Sequence, residues 1–436
     1  MTEPFGIALI GCGTVGGGVA KLLLEQSARL TERAGRPLAL RRVVVRDPEK
    51  QRATAIPSGL ITTDLKSVLH DPEIQVAVEL VGGTDWARRA ILDSLAAGKH
   101  VVTANKAVLA EHGAEVFDAA RKHGRAIAFE ACVMGGVPVV AVLGQSLAAN
   151  QVLSLQGILN GTSNFILTGM SELGRSYAEA LAEAQRRGYA ETDPTLDVDG
   201  TDAAHKLAIL AQLAFGVTVP VHGIDRRGIA EIHNLDIRFA QELGYTIKLL
   251  GEAWLEPNSR QLALHVSPVL LRHLTLLAQV RGADNAIRIT GDAVGEALLY
   301  GRGAGQMPTA SAVVADIIDL AVGRAQRTFQ TMKLWSGGPS PLMVRPSATV
   351  RSRFYLRLQV ADRLGVMADV TRCLADHRIS IASVVQHEAP EDHEEGTVPL
   401  VIMTHTALTE VFRAAVTALD RLGCIASPSV YYPVAD

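Results

Sequence analysis

The chain has 436 residues, 48% of them apolar and 20% charged, with a formal net charge of −3. That length predicts about two or three domains, while the near-neutral charge, the absence of a Lys/Arg run and an aromatic content of only 4% argue against nucleic-acid or anionic-membrane partners. Cys12, Cys132, Cys373 and Cys424 are widely spaced, so neither a zinc site nor a disulfide framework is expected, and a reducing cytoplasm is the natural setting.

Phe5 to Ile10 reads as a short buried strand, with no cleavable leader before it, and no later apolar run reaches membrane-spanning length without charges or turn residues. Gly11-Cys-Gly13-Thr-Val-Gly16 follows, then the helical pattern from Val19 to Leu24. This is the dinucleotide fingerprint in its strand–turn–helix setting. Gly11 makes the tight turn, Gly13 admits a pyrophosphate and Gly16 lets helix and strand pack closely. Gly11, Gly13, Thr14, Val15 and Gly16 are therefore expected cofactor contacts, at a helix N-terminus that favours phosphate. A second strand, Leu38 to Val45, ends in Arg46-Asp47-Pro48-Glu49-Lys50. Arg46 there suits a 2′-phosphate, with Lys50 close behind, and so favours NADP; Asp47 points toward NAD.

Gln75 to Val81 is the next buried strand and ends at Gly82-Gly83-Thr84. A helix from Ala87 to Ala97 leads to the strand His100 to Ala104, and Asn105-Lys106 stand at its end. That position points Lys106 into the crevice expected to hold a nicotinamide. A short strand, Ala126 to Phe129, precedes Glu130-Ala-Cys-Val-Met-Gly-Gly-Val-Pro138. One carboxylate beside a glycine-rich turn, with backbone carbonyls, suits a monovalent hard cation and is too little for a calcium cage. Cys132 has no His near it in sequence and reads as a small buried residue.

From Val152 the pattern alternates as in an open antiparallel sheet, and Asn160-Gly-Thr-Ser-Asn164 turns into a helix. A helix from Tyr177 to Arg187 leads to the stretch Glu191-Thr-Asp193-Pro-Thr-Leu-Asp197 and on to Asp202-Ala-Ala-His-Lys206. It begins as an acidic loop and becomes an apolar helix, Ala203 to Phe215, on which Asp202 and Lys206 share a face. Taken alone this is a capped helix with a solvated ion pair. Beside a cofactor crevice it is a candidate catalytic face, with Glu191 and Asp193 on the loop that could close over it. The residues leave open whether Asp193 and Asp197 shape the loop or touch substrate. Further strands are expected over Thr246–Trp254, Leu262–Val266 and Ala286–Thr290. Tyr300-Gly-Arg-Gly303-Ala-Gly305 reads as a second glycine-rich loop before a helix, Ala312 to Val322. Its glycines, Gly303 among them, allow close approach to cofactor or substrate as the chain returns to the first domain.

A Pro/Gly/Ser-rich linker is expected over 334–348. Beyond it a strand from Arg353, a helix from Met367, a strand Ser380 to His387, an acidic loop Glu388 to Glu395, a strand from Val398, a helix from Leu408 and a strand from Ala426 spell βαββαβ, a ferredoxin-like unit. The expected class is thus α/β and α+β multidomain. A Rossmann-type domain covers 1–137, completed by 305–325; an α+β second domain with an open sheet covers 138–304; the ferredoxin-like unit covers 349–433.

Gly11-x-Gly13-x-x-Gly16, Thr103-Ala-Asn-Lys106, Glu130 to Pro138, the Glu191–Lys206 stretch and Gly301-Arg-Gly-Ala-Gly305 together resemble homoserine dehydrogenase over essentially the whole chain. The C-terminal unit resembles an ACT domain, a regulatory module that commonly binds a pathway end-product, and the resemblance implies that 138–304 is the substrate and dimerisation domain. The resemblance implies reduction of aspartate 4-semialdehyde to homoserine with NADPH, or NADH in some members, in threonine, methionine and isoleucine biosynthesis. It implies Lys206 as the catalytic lysine, Asp202 and Glu191 as substrate ligands, and Lys106 at the cofactor–substrate junction. It also implies a sodium ion held by Glu130 with the carbonyls of Val133, Gly135 and Val137. Threonine is the implied allosteric ligand, with the Asp362-Arg363-Leu-Gly365 turn as its expected contact, and a homodimer or homotetramer the implied assembly. Which lysine donates the proton stays open, as does the choice of cofactor. Two other readings stand beside it: a semialdehyde dehydrogenase acting through Cys132, and a non-enzymatic NADP and amino-acid sensor, which has no need for Glu191, Asp202 and Lys206 together.

Overall fold

Phe5–Ile10 (β1) has no polar side chain and is buried at every position, which marks a strand covered on both faces. The computed structural model describes residues 3–256, 259–336, 342–387 and 396–435. The acidic loop expected over 388–395, and 337–341 in the middle of the expected linker, lie outside these residues. Two compact units are present. One comprises Met1–Gly161, Thr201–Ile224 and Ala283–Met343; the other comprises Thr162–Gly200, Asp225–Gly282 and Val344–Asp436.

In the first unit β1 is central to a six-stranded parallel sheet with Leu38–Val44 (β2), Ile61–Thr62 (β3), Val76–Glu79 (β4), His100–Thr103 (β5) and Ile127–Ala128 (β6), in the order β3-β2-β1-β4-β5-β6. The helices Thr14–Glu25 (α1), Ser27–Ala34 (α2), Lys66–Leu69 (α3), Asp85–Ala96 (α4) and Lys106–Lys122 (α5) connect these strands. Alternate residues of β1 feed two cores. Phe5, Ile7 and Leu9 pack with Val19 and Leu23 of α1 and with Val313 and Ile317; Ala8 and Ile10 pack with Val44, Val68 and Ile74. This is the doubly wound dinucleotide-binding arrangement, with its ligand crevice at the carboxyl ends of β1 and β4.

The chain returns to this sheet through the helix Gln306–Ala321, which packs on α1. That helix begins six residues before the expected Ala312, with Pro308 in its first turn, and a further helix, Arg324–Met332, was not anticipated. Leu334 and Trp335, at the head of the expected linker, are buried: the indole lies 4.5 Å from the Phe117 ring, and both residues' carbonyls accept from Arg121. The same unit carries a three-stranded antiparallel sheet, in which Asp284–Gly291 lies between Val152–Ile158 and Gly295–Arg302. Tyr300 to Arg302, expected in a loop, are strand residues paired to Ala286, Asn285 and Asp284, so the loop is confined to Gly303–Gly305. The helix Thr201–Phe215 packs against α5.

In the second unit Tyr245–Leu255 and Gln261–Arg272 form a long antiparallel pair. The C-terminal βαββαβ unit, with core residues Phe354, Leu356, Leu358, Val370, Leu400, Ile402 and Phe412, has the antiparallel order Ile425–Ala435, Arg351–Ala361, Thr397–Thr404, Ile381–Gln386. Its last strand pairs in parallel with Gln261–Arg272, at Leu270 with Val434, so the two sheets of this unit are continuous. No described helix is long and apolar enough to cross a membrane.

Candidate active site

The first two turns of Thr201–Phe215 place Asp202 and Lys206 on one face, as their spacing predicts. Lys206 Nζ donates to Asp202 Oδ2 at 2.7 Å and to the Leu159 carbonyl at 2.6 Å. Lys106, the first residue of α5, brings Nζ to 3.0 Å from the other carboxylate oxygen, Oδ1. One carboxylate thus holds two lysines from helices about 100 residues apart in sequence. Asn160 adds a donor to Oδ2 at 2.8 Å. The Asp202 and Lys206 side chains are each 11% exposed, whereas Lys106 is 39% exposed.

Burial alone would raise the Asp202 carboxyl. The Lys206 and Lys106 ammonium groups, with hydrogen bonds from Lys206 and Asn160, outweigh it and hold Asp202 well below the carboxylate range. Asp202 is therefore a fixed anion that orients both cations. The Leu159 carbonyl is shared, since Asn285 Nδ2 also donates to it at 3.0 Å. Asn285 in turn packs on Gly303, where a Cβ would lie 2.1 Å from Asn285 Cγ, so Gly303 touches the second layer of this cluster. Asn160, Asn285 and the Leu159 carbonyl escaped the sequence reading. Asn160 lay at the head of a stretch read only as the entry to a helix.

At the cofactor end, Gly11 has φ +99°, and Gly16 packs on it so closely that a Cβ at Gly16 would sit 2.3 Å from the Gly11 carbonyl oxygen. A Cβ at Gly13 would meet nothing within 4 Å. Open space there, over the first turn of α1 with Thr14 and Val15, fits a dinucleotide pyrophosphate. Arg46 is solvent-exposed on the loop after β2. Arg52 braces that loop by donating to the carbonyls of Asp47, Pro48 and Lys50 at 2.5, 3.1 and 2.7 Å, a role with no signature in sequence.

Glu130 is buried. Its two carboxylate oxygens accept from the amides of Val140 and Ala141 at 2.9 and 2.8 Å, and its own amide donates to Asp316. Burial raises its pKa against those two amide bonds. Gly135, at φ +51°, abuts Gly303, where a Cβ would come 2.4 Å from the carbonyl oxygen, and Gly136 donates to Arg302, so the turn after Glu130 is locked to the Gly303 loop. Among the described residues no cluster of three or more His, Cys, Asp or Glu side chains could hold a metal.

Cys132 is fully buried, its thiol donates to the Thr103 carbonyl at 3.2 Å, and burial with the nearby Glu79 and Asp316 carboxylates pushes its pKa well above the usual thiol value. It is no thiolate nucleophile.

Glu191 belongs to the second unit, where its side chain is exposed and its carbonyl accepts from Gln185. Asp193 shapes the loop: it accepts from the Thr195 amide and hydroxyl at 3.1 and 2.6 Å, starting the short helix Thr195–Val198. The Asp197 carbonyl accepts from Ser163 at 2.8 Å.

Sequence and structure comparisons with known proteins point to one family. Family models match at residues 11–130 (homoserine dehydrogenase, NAD binding domain), 138–318 (homoserine dehydrogenase) and 354–424 (ACT domain). The homoserine dehydrogenase of Pseudomonas aeruginosa is 41% identical over 98% of both chains, and that of Bacillus subtilis is 37% identical over 92% of this chain and 91% of its own. A Thiobacillus denitrificans homoserine dehydrogenase crystal structure superposes with a TM-score of 0.90 at 41% identity, covering 100% of this chain and 99% of that one. A hyperthermophilic archaeal homoserine dehydrogenase in complex with NADPH covers 72% of this chain and 97% of its own, with a TM-score of 0.60 at 26% identity.

Proposed function

The chain belongs to the homoserine dehydrogenase family, and on that premise we propose that it reduces aspartate 4-semialdehyde to homoserine, with NADPH as the preferred donor, at the Lys206–Asp202–Lys106 cluster. The observation that carries this reading is the single Asp202 carboxylate bound to Lys206 at 2.7 Å and to Lys106 at 3.0 Å. When bound, the nicotinamide supplies the hydride. The chain's own residues handle the charge. As the aldehyde carbon is reduced its oxygen becomes an alkoxide, and a lysine ammonium at that oxygen stabilises it and delivers the proton. Lys206 is assigned this role because Asp202 and the Leu159 carbonyl fix its Nζ from two directions. Lys106, more exposed at the start of α5, is assigned to the junction of cofactor and substrate. Asp202 orients both lysines and accepts from the substrate. Glu191 is assigned to the substrate ammonium. The phosphates are assigned to Gly11, Gly13, Thr14, Val15 and Gly16, the 2′-phosphate to Arg46, and a close contact to Gly303.

Glu130 and the carbonyls of Val133, Gly135 and Val137 offer one negative charge among neutral oxygens, a donor set that suits sodium better than a divalent metal. The ion would order the 130–138 turn. Threonine is assigned to the 349–433 unit as inhibitor, at the Asp362–Gly365 turn. The functional partition into 1–137 with 305–325, 138–304 and the C-terminal unit, a cytoplasmic location and a homodimeric or homotetrameric assembly complete the reading.

The test is an NADPH-absorbance assay of the purified chain with aspartate 4-semialdehyde, repeated with NADH and with added threonine. Turnover that prefers NADPH and falls with threonine supports it. Absence of turnover overturns the reaction, and threonine indifference overturns the regulation alone.

A further inference from the structure

Glu79 is the last residue of β4 and only 1% exposed. Oε1 accepts from the Val81 amide at 2.9 Å and Oε2 from the Thr103 hydroxyl at 2.7 Å. Thr103, at the end of β5 and fully buried, accepts in turn from the Asn105 amide at 3.0 Å. The Asn105 side chain closes the circuit, donating to the Gly83 carbonyl at 2.7 Å and accepting from the Val108 amide at 3.3 Å, which caps α5. Lys106 is the next residue. Two loops at the carboxyl edge of the sheet, 81–83 and 103–106, are thus tied to one buried carboxylate.

A neutral Gln of the same shape would fill this space at lower desolvation cost. What it lacks is a second acceptor. Glu79 accepts on both oxygens, so the Thr103 proton must point at it, and the Thr103 lone pair is left facing the Asn105 N–H. With Gln the side-chain oxygen can stay on the Val81 amide, but its NH₂ then faces Thr103. The hydroxyl would receive two donors and its own proton would lose its acceptor.

We propose that Glu79 is a positioning residue for Lys106, acting through the Thr103 hydroxyl and the Asn105 amide; this rests on the assignment of Lys106 to the reacting centre made above. The carboxylate sets the direction of a hydrogen-bonded relay that fixes the first turn of α5, and with it the Lys106 ammonium against Asp202.

The test is steady-state kinetics of the full-length enzyme and its Glu79→Gln, Thr103→Val, Thr103→Ser, Glu79→Gln/Thr103→Val and Lys106→Met variants, with NADPH affinity read by fluorescence. Glu79→Gln and Thr103→Val are each expected to lower kcat by about 10- to 100-fold, the range for a slightly misplaced group, with NADPH Kd changed by less than about threefold. The double variant falls no further than the worse single one, because both cut the same relay. Thr103→Ser keeps the hydroxyl and retains kcat within about threefold. If Glu79→Gln does not fold, the contrast between the Val and Ser variants carries the test. Multiplicative losses, a loss seen in NADPH affinity instead of kcat, or equal losses in Thr103→Ser and Thr103→Val overturn the relay. A collapse of kcat in Lys106→Met beside normal kcat in Glu79→Gln and Thr103→Val overturns the relay alone. Normal kcat in Lys106→Met overturns the assignment of Lys106, and the relay with it.

Discussion

Asp236 and Arg357 meet in a buried two-point ion pair, Nε to Oδ1 at 2.6 Å and Nη2 to Oδ2 at 3.0 Å. Asp236 lies in the helix Asn234–Glu242, and Arg357 in the first strand of the ACT unit. Tyr355 donates to the same Oδ1 at 3.0 Å, and Tyr432 stacks on Tyr355. Burial opposes the Arg357 charge, but its hydrogen bonds to Asp236 and the Asp236 charge prevail and raise its pKa. The ACT unit is therefore fastened to the rest of the second unit through a charge pair out of reach of solvent.

Removing one partner leaves the other charge stranded. Arg357→Met is expected to destabilise the second unit by about 3–5 kcal/mol, while Asp236→Asn/Arg357→Met recovers most of that loss. Urea unfolding of the two variants beside the parent checks this. Equal losses in the single and double variants would show that packing, not the stranded carboxylate, sets the cost.

Asp202 yields a prediction about catalysis and pH together. Its folded pKa is depressed, so its contribution to stability is complete above the unfolded value of about 3.9 and is lost only as pH falls through the folded value. The carboxylate is thus expected to stay charged through the ordinary carboxylate range, and no acidic limb of the pH–rate profile in that range is expected from it. Lys206→Met is expected to lower kcat by about 10²- to 10³-fold with NADPH affinity unchanged. Asp202→Asn is expected to lower kcat by a comparable factor, because both lysines lose their shared anchor. Equal loss of turnover and cofactor affinity in Lys206→Met would remove it from the chemistry.

Much of this site was legible in the sequence because its signals are local. Gly11 to Gly16 sit in one turn, and Asp202 and Lys206 are one helical turn apart. What stayed hidden depends on contacts between distant segments. Asn160 reaches Asp202 across 42 residues, and Glu79 reaches Thr103 across 24. A lone Glu in an apolar strand was the available sign of the second. The strand Gly295–Arg302 was missed because it flanks a single partner strand and lacks the burial alternation that marks a half-covered one. Its glycines read as loop instead.

Gly135 tests the lock between the Glu130 turn and the Gly303 loop. A Cβ there would come 2.4 Å from the Gly303 carbonyl oxygen, at φ +51°. Backbone must shift to relieve that contact, so Gly135→Ala is expected to cost about 2–3 kcal/mol and to lower activity through the displaced Gly303 and Asn285. Gly13→Ala makes the contrast. No atom lies within 4 Å of its added Cβ, so folding should be near normal while the KM for NADPH rises. Thermal unfolding alongside NADPH titration separates the two. A normal KM in Gly13→Ala would remove that residue from the phosphate cradle.

Lys248 supplies a pH signature outside the active site. It is 3% exposed and donates to Asn164 Oδ1 at 2.9 Å and to the Val280 carbonyl at 2.5 Å. Burial outweighs the attraction of Glu172 and lowers its pKa to about 8. The unfolded chain, with a lysine near 10.4, binds the proton more tightly between these values, so folding stability rises with pH across that window. Below about pH 8 the charged form carries the full penalty, up to about 3 kcal/mol. Lys248→Met has no such proton, so the stability difference between parent and variant should change steadily from pH 8 to pH 10 and stay flat below it. Urea unfolding at half-unit pH steps measures that difference directly. A difference that stays constant through pH 10 would place the folded pKa of Lys248 near its ordinary value, with its two hydrogen bonds fully offsetting burial.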